Sequence, residues 1–191
     1  WLGATEVMCV DYQLWGGTED ADTVIRADWP PALFSEAFRL EHCLRRSRVH
    51  AARVNVYDLS PELLGGRRFD VVRAFGLLYH LKHPVLGLQA LSAVTKEALV
   101  IETETFVIDS VNGDDTSSGD EQLFLPICQW LRGSRLIDDD PTSFWACNDA
   151  TWVSWFLDVG FAEATVLYRI EGARPTLWRS TYVALKPNAS L

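Results

Sequence analysis

Residues 69–84, FDVVRAFGLLYHLKHP, constrain the fold more than any other stretch of this chain. Phe69, Val71, Val72, Ala74 and Phe75 are apolar at nearly every position, as in a strand buried on both faces. The run then reaches Gly76, Tyr79 and His80. Pro84 follows where the first turn of a helix would begin. A buried strand that ends in a glycine, a phenol and an imidazole, and then feeds a helix, is a unit of an α/β sheet. Ligands of such sheets sit at the carboxyl ends of the strands. The stretch therefore predicts a ligand site at its own end.

The rest of the chain supplies the partners such a strand needs. Residues 5–12, TEVMCVDY, read as a strand that ends in an acid. Over 31–46, Leu33, Phe34, Ala37, Phe38, Leu40 and Leu44 recur at helical spacing, and Arg45 and Arg46 suit a helix carboxyl end. Residues 52–57, ARVNVY, alternate like a strand closed by Asp58. Pro84 opens a helix with Val85, Leu88 and Leu91 on one face, and 98–108, ALVIETETFVI, is the next strand. The acidic stretch 109–122 is a solvated loop or a lid, and 123–135 a helix or irregular cover. Asn148 or Asp149 caps a helix through Trp152, Phe156 and Val159 that Gly160 stops. AEATVLYRI and STYVALK close the chain as a pair of strands. The expectation is an α/β sheet covered on both sides, in a single domain over 1–191.

Composition narrows the function classes. No apolar run approaches the roughly 20 residues of a transmembrane helix. The net charge of −9 argues against a general nucleic-acid or membrane surface, which needs positive charge. Arg45, Arg46 and Arg48, and Arg67 with Arg68, make small clusters that read as solvated faces. Cys9, Cys43, Cys128 and Cys147 include no Cys-x-x-Cys pair and read as reduced thiols of a cytoplasmic protein, not as a disulfide frame or zinc site. His80 and His83 lack further ligands, so no metal is expected.

Each strand-end residue has a functional and a plain reading. Asp11 could accept hydrogen bonds from both hydroxyls of a ribose, or cap a turn. Asp58 could accept from the exocyclic amine of adenine, or cap a helix ahead of SPELL. Gly76 permits close approach of a ligand to the backbone, or simply a turn. Tyr79 and His80 could position an acceptor, with His80 as a base, or His80 could bond a carbonyl. Glu102 could face the site or begin a solvated strand end.

In this order, EVMCVDY, NVYDL, FDVVRAFGLLYHLKHP, ALVIETETFVID and DDPTSFWACNDATWVSWFLDVGF resemble the class I S-adenosylmethionine-dependent methyltransferases. The branch they resemble is that of the tRNA uridine carboxymethyltransferases and their small-molecule relatives, through Phe69, Asp70, Val72, Gly76, Leu78, Tyr79, His80 and Pro84. The resemblance runs over nearly the whole chain. It implies a Rossmann-like, doubly wound sheet, mostly parallel with an antiparallel C-terminal strand. It implies S-adenosylmethionine as cofactor. Asp11, with Tyr12 beside it, would hold the ribose, and Asp58 with Leu59 would border adenine. Phe75 and Gly76 would line the methionine portion. Tyr79 would face the transferred group, and Asp70 would be structural.

The glycine-rich loop of that family is not in this sequence, and the chain opens where the following helix would end. The first strand and helix are thus expected to be missing, and the 191 residues alone to be weakly stable and poor in cofactor binding. The function expected is methyl transfer to a small-molecule acceptor, with Tyr79 and His80 positioning it. A tRNA acceptor is disfavoured by the acidic charge, and no cations are placed for the carboxylate of a carboxymethyl donor. A nicotinamide-dependent dehydrogenase and a non-catalytic binding domain of the same fold are the rivals.

Overall fold

The computed structural model describes residues 4–11, 40, 41, 43–46, 49–52, 54–106, 125–131, 142–171 and 177–189. The chain forms two compact units, Trp1–Leu59 and Ser60–Leu191.

In the first unit, β1 (Val7–Val10) pairs in parallel with β2 (Val49–Ala52), Val7 opposite Val49 and Val10 opposite Ala52. The ladder continues one step, with Asp11 N donating to Ala52 O at 3.2 Å. The strand expected over 52–57 is corrected: the strand ends at Ala52 and Val56–Asp58 is a 3-10 turn. The Asn55 side chain accepts from Tyr57 N at 3.1 Å, and this local bond bends the chain out of the extended form. Of the helix expected over 31–46, residues 40, 41, 43 and 44 are helical, and 31–39 lie outside the described residues.

The second unit begins with β3 (Phe69–Phe75), a 3-10 turn over Leu78–His80, α1 (Pro84–Val94) and β4 (Thr95–Phe106). Then come β5 (Cys128–Trp130), β6 (Trp145–Cys147), α2 (Asp149–Asp158), β7 (Glu163–Glu171) and β8 (Leu177–Leu185). Among the described residues the sheet has six strands, ordered β5-β6-β4-β8-β7, with β3 also on β4. β8 runs antiparallel along one edge of β4, from Ala98 opposite Leu185 to Phe106 opposite Leu177. The other edge carries β3 in parallel, as far as Phe75 opposite Glu102, and then β6 at Thr105 opposite Cys147. The parallel strands and the antiparallel C-terminal hairpin are thus as expected.

Pro84 stands in the first turn of α1, where its missing N–H costs nothing. Helix α1 buries Leu88, Leu91 and Val94. Helix α2 buries Trp152 and Phe156 beside Tyr182, and all three are wholly enclosed. Burying each such side chain is worth about 1.5–3 kcal/mol. Asn148, not Asp149, caps α2 through its bond from Thr151 N, and Gly160 ends the helix at φ +91°.

Three expectations fail. Residues 123–135, where described, hold the short strand β5 rather than a helix or irregular cover. Val71 and Phe75 are 44% and 54% exposed, so the sheet is not covered on both faces at β3. Cys128 and Cys147 are not thiols: they lie opposite each other across β5 and β6 and form a disulfide, while Cys9 and Cys43 are free. Their separation of 19 residues gives no local sign of that pairing, which depends on the register of a strand that the pattern does not announce.

Candidate functional site

The carboxyl ends of β3 and β4 bring together the residues of chemical interest in the second unit. Gly76 follows β3 in the left-handed region, φ +63°, which a residue with a side chain adopts only at a cost. Its N–H donates to Glu102 O at 3.0 Å, fixing the turn against β4. A Cβ placed on Gly76 would meet only Tyr79 Oη, at 3.8 Å, so the backbone there is open to approach. The turn then carries Tyr79, which is 5% exposed, beneath that opening.

Strand β4 reads Glu102-Thr103-Glu104, and the period of two puts both carboxylates on one face. Arg179 on β8 is registered opposite Glu104. Its Nε donates to Glu104 Oε1 at 2.9 Å, and its Nη2 donates to Tyr79 Oη at 3.0 Å. Its Nη1 lies 3.0 Å from Glu102 Oε1, a close ion pair without the alignment of a hydrogen bond. The guanidinium also stands 5.9 Å from the centre of the Tyr79 ring. Burial pushes the Tyr79 phenol up, against the opposing effect of the Arg179 charge. Burial alone would lower Arg179, but its hydrogen bond to Glu104 and its charged neighbours hold it up.

The His80 ring lies against that of Tyr79, centroids 4.0 Å apart, while its hydrogen bonds run to another segment. Its Nδ1 stands 2.9 Å from Thr142 Oγ1 and 3.1 Å from Thr142 O. Phe144 N donates to Tyr79 O at 2.9 Å, and Trp145 Nε1 donates to Lys82 O at 3.1 Å. Those bonds lash the segment ahead of β6 to the turn that bears Tyr79 and His80. Phe75 is exposed at the end of β3. Asp70, at the far end of that strand, pairs with Lys96 at 3.1 Å.

In the first unit, Asp11 is exposed at the carboxyl end of β1. Asp58 is exposed at the end of the 3-10 turn, and Leu59 beside it is buried. Tyr12 lies outside the described residues. Sequence reasoning weighed Glu102 but missed Glu104 and Arg179. The alternation of ETETF signalled Glu104. Arg179, 100 residues from Tyr79, gave no local signal. Among the described residues, no group of three or more His, Cys, Asp or Glu side chains is placed to hold a metal, and no helix is long and apolar enough to cross a membrane.

No family profile matches the chain. It is 26% identical over 180 residues to the tRNA U34 carboxymethyltransferase of Alteromonas mediterranea, covering 89% of this chain and 48% of that protein. It is 28% identical over 158 residues to the protein of the same name from Colwellia psychrerythraea, covering 72% of this chain and 48% of that protein. The chain thus spans about half the length of the curated relatives it matches. Among solved structures it resembles the N-terminal domain of EvdMO1 with SAH bound, at a TM-score of 0.58 and 21% identity, over 97% of this chain and 76% of that one. The same domain solved in the presence of SAH and D-fucose gives a TM-score of 0.57 at 20% identity, over 97% and 77%. The chain has the fold of the class I S-adenosylmethionine-dependent methyltransferases and is similar in sequence to their tRNA U34 carboxymethyltransferase branch.

Proposed function

We propose that the chain carries part of an S-adenosylmethionine-dependent methyltransferase that acts on a small-molecule acceptor. The observation that supports this reading best is the open left-handed turn at Gly76, set beside Tyr79, Glu102 and Arg179 at the carboxyl ends of a methyltransferase sheet. A bare backbone at that turn suits the methionine portion of the cofactor, with Phe75 alongside. Asp11 and Tyr12 would hold the ribose, and Asp58 and Leu59 would border adenine. When bound, the cofactor supplies a methyl group on a sulfonium, which is already an activated electrophile. The chain's task is then to place the acceptor and exclude water. Tyr79 does the placing, held by Arg179. His80, bonded to Thr142, steadies the turn that presents Tyr79.

The test is calorimetric titration of S-adenosylmethionine and S-adenosylhomocysteine into the chain and into any longer form of the protein that carries it. Micromolar binding supports the reading, and Asp11→Ala should then weaken it by about 1–3 kcal/mol, the scale of hydrogen bonds to a charged group. An unchanged dissociation constant removes Asp11 from the site. No binding by the folded, longest form refutes the enzyme reading and favours a non-catalytic domain of this fold. The names of the sequence relatives favour a second reading, carboxymethyl transfer to tRNA. Against it stand the net charge of −9 and the engagement of Arg179 by two glutamates.

A further inference from the structure

Strands β5 and β6 form a cover at the end of β4, and a covalent bond sits at its joint. Among the described residues, β5 pairs only with β6, and β6 meets the rest of the sheet at one registered pair, Thr105 opposite Cys147. Cys147 is therefore both the link from the cover to β4 and the residue bonded to Cys128.

The cover is tied to the turn that bears Tyr79. Phe144 N donates to Tyr79 O at 2.9 Å, Trp145 Nε1 donates to Lys82 O at 3.1 Å, and Thr142 Oγ1 stands 2.9 Å from His80 Nδ1. From the β5 side, Leu131 N donates to Phe144 O at 2.8 Å. Leu131 is buried with Ala146, and Phe106 and Leu177 pack against that pair. Phe106 lies two residues past Glu104, and Leu177 two residues before Arg179. The cover thus touches the backbone of Tyr79 and the strand ends that carry its charged partners.

The two ends of β5 are held differently. Before it, Asn148 accepts from Ile127 N and donates to Leu125 O, and Thr151 Oγ1 donates to Ile127 O at 3.0 Å. After it, Gln129, Trp130 and Leu131 lean on the short ladder to β6 and on the rings of Phe144 and Trp145 against Trp130. A two-stranded pairing of that length is marginal in water. The disulfide stands between the anchored end and the dependent one. Cys128 is half-buried and Cys147 wholly enclosed, so a reagent reaches the bond at Cys128.

We infer that the Cys128–Cys147 bond is a redox switch that sets how firmly the turn bearing Tyr79 is held. The reductant is a thiol of the glutathione class. Its thiolate attacks the Cys128 sulfur, forms a mixed disulfide and expels the Cys147 thiolate, which takes up a proton. A second thiolate attacks the reductant's sulfur in that mixed disulfide and expels the Cys128 thiolate, which is protonated in turn. Two electrons pass to the protein, and two reductant thiols leave as one disulfide. An oxidised thiol of the same class reverses the sequence. Cleavage removes the covalent restraint on Gln129–Leu131 and loosens Phe144 against Tyr79 O. The effect on the turn stands by itself; any effect on ligand binding rests on the methyltransferase reading.

The test is hydrogen–deuterium exchange read by mass spectrometry, on the longest natural form of the protein, in glutathione mixtures from fully oxidised to fully reduced. Reduction should speed exchange at 77–82 and 129–131 at least about tenfold, within the range that closing such a loop contributes, while 98–104 in β4 stays protected. Cys128→Ser should exchange like the reduced form in every mixture, and the double variant Cys9→Ser, Cys43→Ser should keep the natural response. A bond that survives millimolar reduced glutathione is a structural crosslink and overturns the inference. So does exchange at 77–82 that ignores reduction, or that rises only together with 98–104. S-adenosylhomocysteine should bind at least about threefold more weakly to the reduced form, and equal affinity in both forms also overturns the inference. No binding in either form counts instead against the methyltransferase reading, and the exchange data still decide on the switch.

Discussion

Replacing Asn148 by alanine tests how the second unit is held together. Asn148 is 8% exposed and satisfies several groups at once. Its Oδ1 accepts from Thr151 N at 3.1 Å, from Thr151 Oγ1 at 2.8 Å and from Ile127 N at 3.1 Å. Its Nδ2 donates to Leu125 O at 2.7 Å. The first of these bonds caps α2, and losing an N-cap costs about 1 kcal/mol. Thr151 is itself buried at 3% exposure, so water does not readily replace the lost acceptor. Leaving that N–H unmet brings the total to about 2 kcal/mol. Ile127 and Leu125 are exposed, at 37% and 57%, so their backbone groups turn to water at little further cost.

Asn148→Asp separates the cap from the tie to Leu125. The aspartate keeps the acceptor and adds a negative charge at the helix N-terminus, worth about 0.3–1 kcal/mol. It loses the amide donor to Leu125 O, which water can serve. Urea unfolding followed by tryptophan fluorescence should therefore show Asn148→Ala losing about 2 kcal/mol and Asn148→Asp less than half of that. A loss below about 0.5 kcal/mol in the alanine variant, the ordinary scatter of surface substitutions, refutes the reasoning. So does an aspartate variant as damaged as the alanine one.

Gly76→Ala should cost about 1–2 kcal/mol by denaturant titration, because the left-handed backbone and not a clash sets the penalty; a stabilised variant would contradict the turn. Reduction of the Cys128–Cys147 bond should destabilise the chain by up to about 3 kcal/mol, the entropic scale for closing a loop whose ends lie 19 residues apart. Unfolding with and without dithiothreitol, beside Cys128→Ser, measures this, and identical midpoints would dismiss the bond. Tyr79 and Tyr182 both have raised pKa values, chiefly through burial. Their contribution is intact below the unfolded tyrosine pKa of about 10 and is lost as pH rises toward the folded values. Lys186, lowered chiefly by burial, opposes this trend. Urea midpoints should fall above about pH 10, and less steeply in Tyr182→Phe; a midpoint that rises there would reverse the sign.

What the sequence discloses and what it hides follow from the range of the interaction concerned. The strand at Phe69–Phe75, the turn at Gly76 and the helix opened by Pro84 were legible because propensity, pattern and punctuation agree within a short window. Asn148 was legible as one of two caps, and only the bond from Thr151 N decides between them. The alternation of ARVNVY misled because one side-chain bond, from Tyr57 N to Asn55, outweighs a weak strand pattern. Strand β5 has three residues and one ladder partner among the described strands, so its existence depends on β6 rather than on its own composition. The site divides the same way. Gly76 and Tyr79 stand out in their own stretch, whereas the role of Arg179 is set by the register that places it opposite Glu104. A slip of one residue would leave the composition of β8 unchanged and carry Arg179 to the other face of the sheet, away from both glutamates. The alternation of a strand reveals which residues share a face, but only pairing decides which charges meet there.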